Sequence, residues 1–114
     1  MIIAGGRDFD DLHKLHEVIA AEFNIKDIKE VISGGADGAD LLGELWAETH
    51  QIPIRIFQAD WKKHGKAAGP IRNAEMAIYA DEAVVFWDGE SRGSKNMIEN
   101  MKKLNKSVTV SLYS

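Results

Sequence analysis

The chain has no cysteine and only two prolines. The first absence excludes a disulfide framework and thiolate chemistry, and it fits a reducing compartment. No apolar run approaches the roughly 20 residues needed to span a bilayer. No signal-peptide pattern opens the sequence. A cytoplasmic location without membrane association is therefore expected. A basic stripe is missing as well: the formal net charge is -4. The nearest cationic cluster, Lys62, Lys63 and Lys66, reads either as a solvated loop face or as the lining of an anion pocket. Nucleic acid is not an expected partner. Histidine is sparse and scattered (His13, His16, His50, His64), without a recognisable zinc pattern. Neither Ser33 nor Ser94 lies in a nucleophile-elbow context. No metal and no cofactor is expected.

What the chain does have is glycine in particular places. Of its ten glycines, all but Gly43 follow short apolar runs: Gly5, Gly6, Gly34, Gly35, Gly38, Gly65, Gly69, Gly89 and Gly93. Apolar runs at Met1–Gly5, Glu30–Ser33, Pro53–Phe57, Ala83–Trp87 and Val108–Leu112 read as strands. Helical periodicity lies between them. Leu12, Leu15, Ile19 and Phe23 follow a cap at Asp10 or Asp11. A second helix over Gly38–His50 is expected to bury Leu41, Leu42, Leu45 and Trp46. A third begins at Pro70, with Ile71, Ala74 and Ile78 on one face. The last is capped by Ser91 or Ser94 and buries Met97, Ile98, Met101 and Leu104. Strands alternating with helices imply parallel pairing and right-handed crossovers. The expected fold is a Rossmann-like α/β three-layer sandwich, one domain over residues 1–114. Its five-stranded parallel sheet has the order 3-2-1-4-5 and its switch point between the first and fourth strands. The glycine-bearing turns then emerge on one edge, where ligands bind such sheets.

Four of those turns carry chemistry. In S-G-G-A-D-G-A-D, Gly34, Gly35 and Gly38 permit a close backbone approach, and the helix start offers unpaired N–H groups to a phosphate. Ser33, Ala36, Asp37 and Asp40 complete the segment, with Asp40 as a ribose acceptor. The plainer alternative is a tight turn capped by Asp37 or Asp40. In G-G-R-D-F-D-D, after Gly5 and Gly6, Arg7 can fork onto a phosphate or pair with Asp8 or Asp10. Phe9 can stack on a base or plug the core. In G-P-I-R-N-A-E-M, Arg72 sits at a helix start, where the dipole disfavours a cation. Its presence there points to an anionic guest, or else to a pair with Glu75 or Asp60; Asn73 lies beside it. In W-D-G-E-S-R-G-S-K, Gly93 and Ser94 form an anion nest with Arg92 nearby. Asp88 is a ribose or metal acceptor, and Gly89 and Ser91 shape the turn. Trp61, in its loop, is the one tryptophan placed to stack on a base.

Taken in order, these segments, with A-D-W-x-x-H-G-K-A-A-G-P-I-R-N-x-E-M, resemble the YspA-like branch of the SLOG superfamily. That superfamily groups Smf/DprA proteins with the LOG phosphoribohydrolases. The resemblance implies a Rossmann-like fold, a nucleotide or nucleotide-derived ligand in a bacterial or phage conflict setting, and a homo-oligomer. It carries the LOG catalytic arginine onto Arg72. The second LOG motif, P-G-G-x-G-T-x-x-E, is matched by D-G-E-S-R-G-S-K-N-M, which has Met97 where the glutamate belongs. Hydrolysis of a nucleoside 5′-monophosphate would then need Glu75, Asp40 or Asp88 as the acid. Binding or sequestering such a ligand is the leading expectation. An N-glycosidase and a DprA-like module associated with single-stranded DNA are the alternatives.

Overall fold

The computed structural model describes residues 1–114. Five strands form one all-parallel sheet: β1 (Ile2–Gly5), β2 (Val31–Ser33), β3 (Ile54–Ile56), β4 (Glu82–Trp87) and β5 (Ser107–Leu112), in the order β3-β2-β1-β4-β5. The expected topology is the observed one. Five helices surround the sheet: α1 (Leu12–Glu22), α2 (Ala39–Thr49), α3 (Trp61–His64), α4 (Ala68–Tyr79) and α5 (Arg92–Lys103), with 3-10 turns at Ile25–Asp27 and Gly65–Ala67.

The strands are apolar on both faces because both faces are covered. Alternation along β1 and β4 sorts the core into two layers. Ile3, Val84 and Phe86 face α1 and α2, joining Leu15, Ile19 and Trp46. Ile2, Ala4 and Val85 face α4 and α5, joining Met76, Ala77, Met97 and Met101. Ile2 and Ile3 are both 0% exposed. Burying each side chain contributes about 1.5–3 kcal/mol.

Two helices turn a different face to the core than their leucines and isoleucines imply. In α2 the buried residues are Ala39, Asp40, Gly43, Trp46 and Ala47, while Leu41 and Leu45 are exposed. Gly43 decides this. A Cβ there would lie 2.7 Å from Ile3 Cγ2, so the helix lies close on β1; Leu41 and Leu45 point outward, while Trp46 and the partly buried Leu42 keep their expected place against the core. In α4 the buried residues are Ala68, Asn73, Met76 and Ala77, and Ile78 is 68% exposed. That helix starts at Ala68, two residues before Pro70, whose missing N–H falls in the first turn and breaks no intrahelical bond. Its far end is held by Lys106, whose Nζ donates to the carbonyls of Ala77 (2.8 Å), Ile78 (2.8 Å) and Ala80 (2.6 Å). These carbonyls lie at the negative end of the helix dipole. Asp11 caps α1 by accepting from Lys14 N at 2.9 Å.

Substituting Gly43→Val should lower unfolding stability by about 1–3 kcal/mol through overpacking against Ile3. Urea unfolding measures this directly; an unchanged midpoint would show that α2 can shift freely on β1.

Candidate ligand site

The sheet reverses its winding between β1 and β4, and a cleft of about 470 Å³ opens there. Its walls come from all four glycine-bearing segments: Gly5, Gly6, Arg7 and Asp8 after β1; Gly34, Ala36 and Asp40 after β2; Arg72 and Asn73 on α4; Asp88, Ser91, Gly93 and Ser94 after β4. Ala4, Met76 and Met97 also line it. Sequence reasoning assigned Met97 only to the core and gave Met76 no place of its own; their depth beneath a cleft depends on how far α4 and α5 diverge.

Gly38 brings the first two segments together. It adopts φ 73°, and a Cβ on it would meet Gly6 O at 2.2 Å. The Gly6 carbonyl accepts from Ala39 N at 3.1 Å and from Phe9 N at 3.3 Å. No other residue type both tolerates that φ and leaves room for the loop.

The turn Gly34–Gly38 keeps several of its amides for itself. Gly35 N donates to Ser33 Oγ (3.1 Å), and Ala36 N to Asp40 Oδ2 (3.2 Å). Ala39 N is taken by Gly6. The buried Ser33 hydroxyl donates to Glu44 Oε2 at 2.6 Å. The phosphate cradle expected here is thus largely filled by the protein's own groups, with a carboxylate at its mouth. Burial raises the Asp40 carboxyl to about pKa 6, against the opposing pull of the Ala36 N–H and the Arg72 charge.

Arg72 pairs with neither Glu75 nor Asp60. Its Nη1 donates to Gly34 O at 2.7 Å and its Nε to Asn73 Oδ1 at 3.1 Å. Nη2 is left with no protein acceptor. Buried Asn73 continues the chain of contacts, donating from Nδ2 to Gly93 O (3.2 Å) and Asn96 Oδ1 (3.1 Å). Arg72 and Asn73 therefore brace the β2 turn against the start of α5.

The start of α5 differs from that of α2. Neither its N-cap, Ser91, nor Gly38 of α2 makes a side-chain cap bond, but α2 has Asp40 in its first turn and α5 has no acidic residue there. The first N–H groups of a helix have no intrahelical partner. Ser94 Oγ is buried and has no hydrogen-bond partner. Asp88 closes the turn before it, accepting from Ser91 N (2.8 Å) and Glu90 N (2.9 Å). Those two donors, Ser91 first, hold its carboxyl below the usual aspartate range. Trp87 Nε1 donates to Ser91 O at 3.0 Å and fixes the same turn.

Other expected site residues stand apart from the cleft. Phe9 is 3% exposed and stacks on Phe86 with centroids 4.6 Å apart; of its two sequence readings, the core plug is the one seen. Trp61 is 55% exposed on α3 and does not line the cleft. Gly35, Asp37, Gly89, Arg92 and Glu75 are exposed outside the lining. Ser33 and Gly38 act from behind it, as described. Of the scattered histidines, His16 accepts from Trp46 Nε1 at 3.0 Å and lies against His50.

An open parallel sheet with a polar cleft at its switch point places the chain in the Rossmann-like class. The chain belongs to the YspA, cpYpsA-related SLOG family, whose model matches residues 1–64. The Gene 61 protein of Mycobacterium phage D29 is 32% identical over 110 residues, covering 90% of this chain and 88% of that protein. No solved structure matches. The family match takes in the first two glycine segments; Arg72 and the α5 start lie beyond it.

The Asp40 carboxyl binds its proton more tightly in the folded chain than in the unfolded one. Its contribution to stability is full below the unfolded value of 3.8 and is lost as pH rises through about 6. Asp40→Asn should therefore stabilise the protein more at about pH 8 than at about pH 4.5, by on the order of 2 kcal/mol. Denaturant midpoints at the two pH values test this; an equal gain at both would contradict it.

Proposed function

We propose that this protein binds a phosphorylated nucleoside or another nucleotide-derived small molecule, as a sensor or sequestering protein. The observation that carries the reading is Ser94. Its buried, unpartnered hydroxyl lines the cleft at an uncapped helix start. A buried hydroxyl without a partner costs about 1–3 kcal/mol, and an anion accepting from it would remove that cost. The same anion would receive the N–H groups of the first turn of α5 and the free Nη2 of Arg72. Arg7, exposed on the opposite wall, makes no ion pair and adds a second cation. Asp40 and Asp88 supply acceptors for sugar hydroxyls. Family membership supports a nucleotide-related ligand, and a phage relative is compatible with sequestration.

Binding without turnover is the leading reading because Met97 occupies the position of the LOG acid and Glu75 lies outside the cleft. One observation favours N-glycosidase activity: Asp40 lies inside the cleft with its carboxyl raised by burial to about pKa 6, the direction in which a catalytic acid is tuned. Release of free base from a nucleoside monophosphate, abolished by Asp40→Asn, would establish that activity.

Ser94→Ala should leave the melting temperature of the free protein equal or higher, because it removes an unsatisfied group. It should weaken the binding of the tightest nucleotide in a mono-, di- and cyclic-nucleotide panel by about tenfold. Thermal shift and calorimetry read both effects. A panel without any saturable binder, or a variant that binds as wild type does, would overturn the proposal.

A further inference from the structure

We propose that Tyr113 is a positioning residue for the cleft, its hydroxyl holding the Gly6–Asp8 wall, and with it Arg7, in place. Tyr113 Oη donates to Asp8 Oδ1 at 2.6 Å, joining residues 105 apart in sequence. Such a bond between freely moving surface groups would contribute little. Here the tyrosine is fixed beforehand. Its backbone N donates to Trp87 O at 3.0 Å, continuing the β5 ladder by one residue. Its ring meets Phe9 edge-on with centroids 5.0 Å apart, and Phe9 is itself stacked on Phe86 of β4. The hydroxyl is therefore placed before Asp8 arrives, and little entropy is lost when the bond forms.

The opposite side of the contact is shaped to receive it. A Cβ on Gly6 would lie 1.7 Å from Tyr113 Oη, so the glycine leaves the space that the hydroxyl fills. Burial and the neighbouring Asp8 carboxylate both raise the Tyr113 pKa, which keeps the hydroxyl a donor throughout the neutral range. Asp8 and Arg7 are exposed, and Asp8, Arg7 and Gly6 all line the cleft. Without the tyrosine, the side chains beyond Gly6 would be held through backbone bonds of Gly6, whose N donates to Phe86 O at 3.0 Å and whose carbonyl accepts from Phe9 and Ala39, and through the buried Phe9. The effect on ligand affinity rests on the function proposed above; the effect on the wall does not.

Two variants break the contact from opposite sides. Tyr113→Phe keeps the ring on Phe9 and removes the donor. Gly6→Ala keeps both partners and displaces the hydroxyl. Amide exchange in the free protein reads the wall through Phe9 N, which donates to Gly6 O at 3.3 Å. Each variant should raise the Phe9 exchange rate about tenfold while the amides of β1 and β4 keep their protection. The double variant should add nothing further. AMP, used as the probe, should bind several-fold more weakly to each. Unchanged Phe9 exchange, or an equal rise across the central strands, would overturn the positioning role. Failure of the wild type to bind AMP or any other member of the nucleotide panel would count against the proposed function alone, since the exchange measurement still decides the role of Tyr113.

Discussion

The Gly6 carbonyl oxygen is the point on which the site turns. It accepts from Phe9 N within its own loop and from Ala39 N at the start of α2, with Gly38 pressed against it. Those contacts set the distance between the β1 and β2 loops. Everything else on that side of the cleft inherits its position: Asp40 because it follows Ala39, Gly34 because Asp40 bonds the adjacent turn, and Arg72 because it reaches the Gly34 carbonyl. The far side is set by a second chain of contacts, from Arg72 through Asn73 to Gly93. Polar groups shared in this way act as a unit.

Two helix starts face the same cleft with opposite accounts of their amides. At α2 the protein's own acceptors, Asp40 Oδ2, Ser33 Oγ and Gly6 O, occupy the turn. At α5 the first turn holds no acidic residue and a buried hydroxyl goes unmatched. The difference arises from side chains that follow each glycine turn. An aspartate just inside α2 folds back on its own loop, whereas Ser94 has no acceptor within reach. Glycine-rich turns at sheet edges are therefore not equivalent: Asp40 folds back on the amides of the turn before its own helix, whereas Asp88 bonds only the amides that precede the first turn of α5.

Much of this was legible in the residues. Alternating apolar runs and right-handed crossovers imply an open parallel sheet, the observed order is one of those such a sheet adopts, and the convergence of Gly5, Gly34, Arg72 and Gly93 follows from that order. The faces of α2 and α4 were not legible. Periodicity ranks leucine above glycine and alanine, but close approach to the sheet selects the small residues, and only the separation of the two layers reveals that Gly43 must face inward. The Tyr113–Asp8 and Lys106 contacts left no pattern either. Each joins distant positions through a single side-chain atom, and no local spacing encodes such a pairing. Phe9 had two sequence readings of equal merit, and the aromatic stack with Phe86 distinguishes them.

The central strand carries a consequence for how the chain acquires its shape. β1 is the first strand made, yet its longer partner is β4: four residue pairs join them, against one pair with β2. During synthesis Ile2–Gly5 must wait, with most of one edge open, until Glu82–Trp87 emerges. Ordering so distant a pairing means closing a loop over residues 6–81, about two thirds of the chain, before its contacts give anything back. The slow step of folding should accordingly be the pairing of β4 with the first strand.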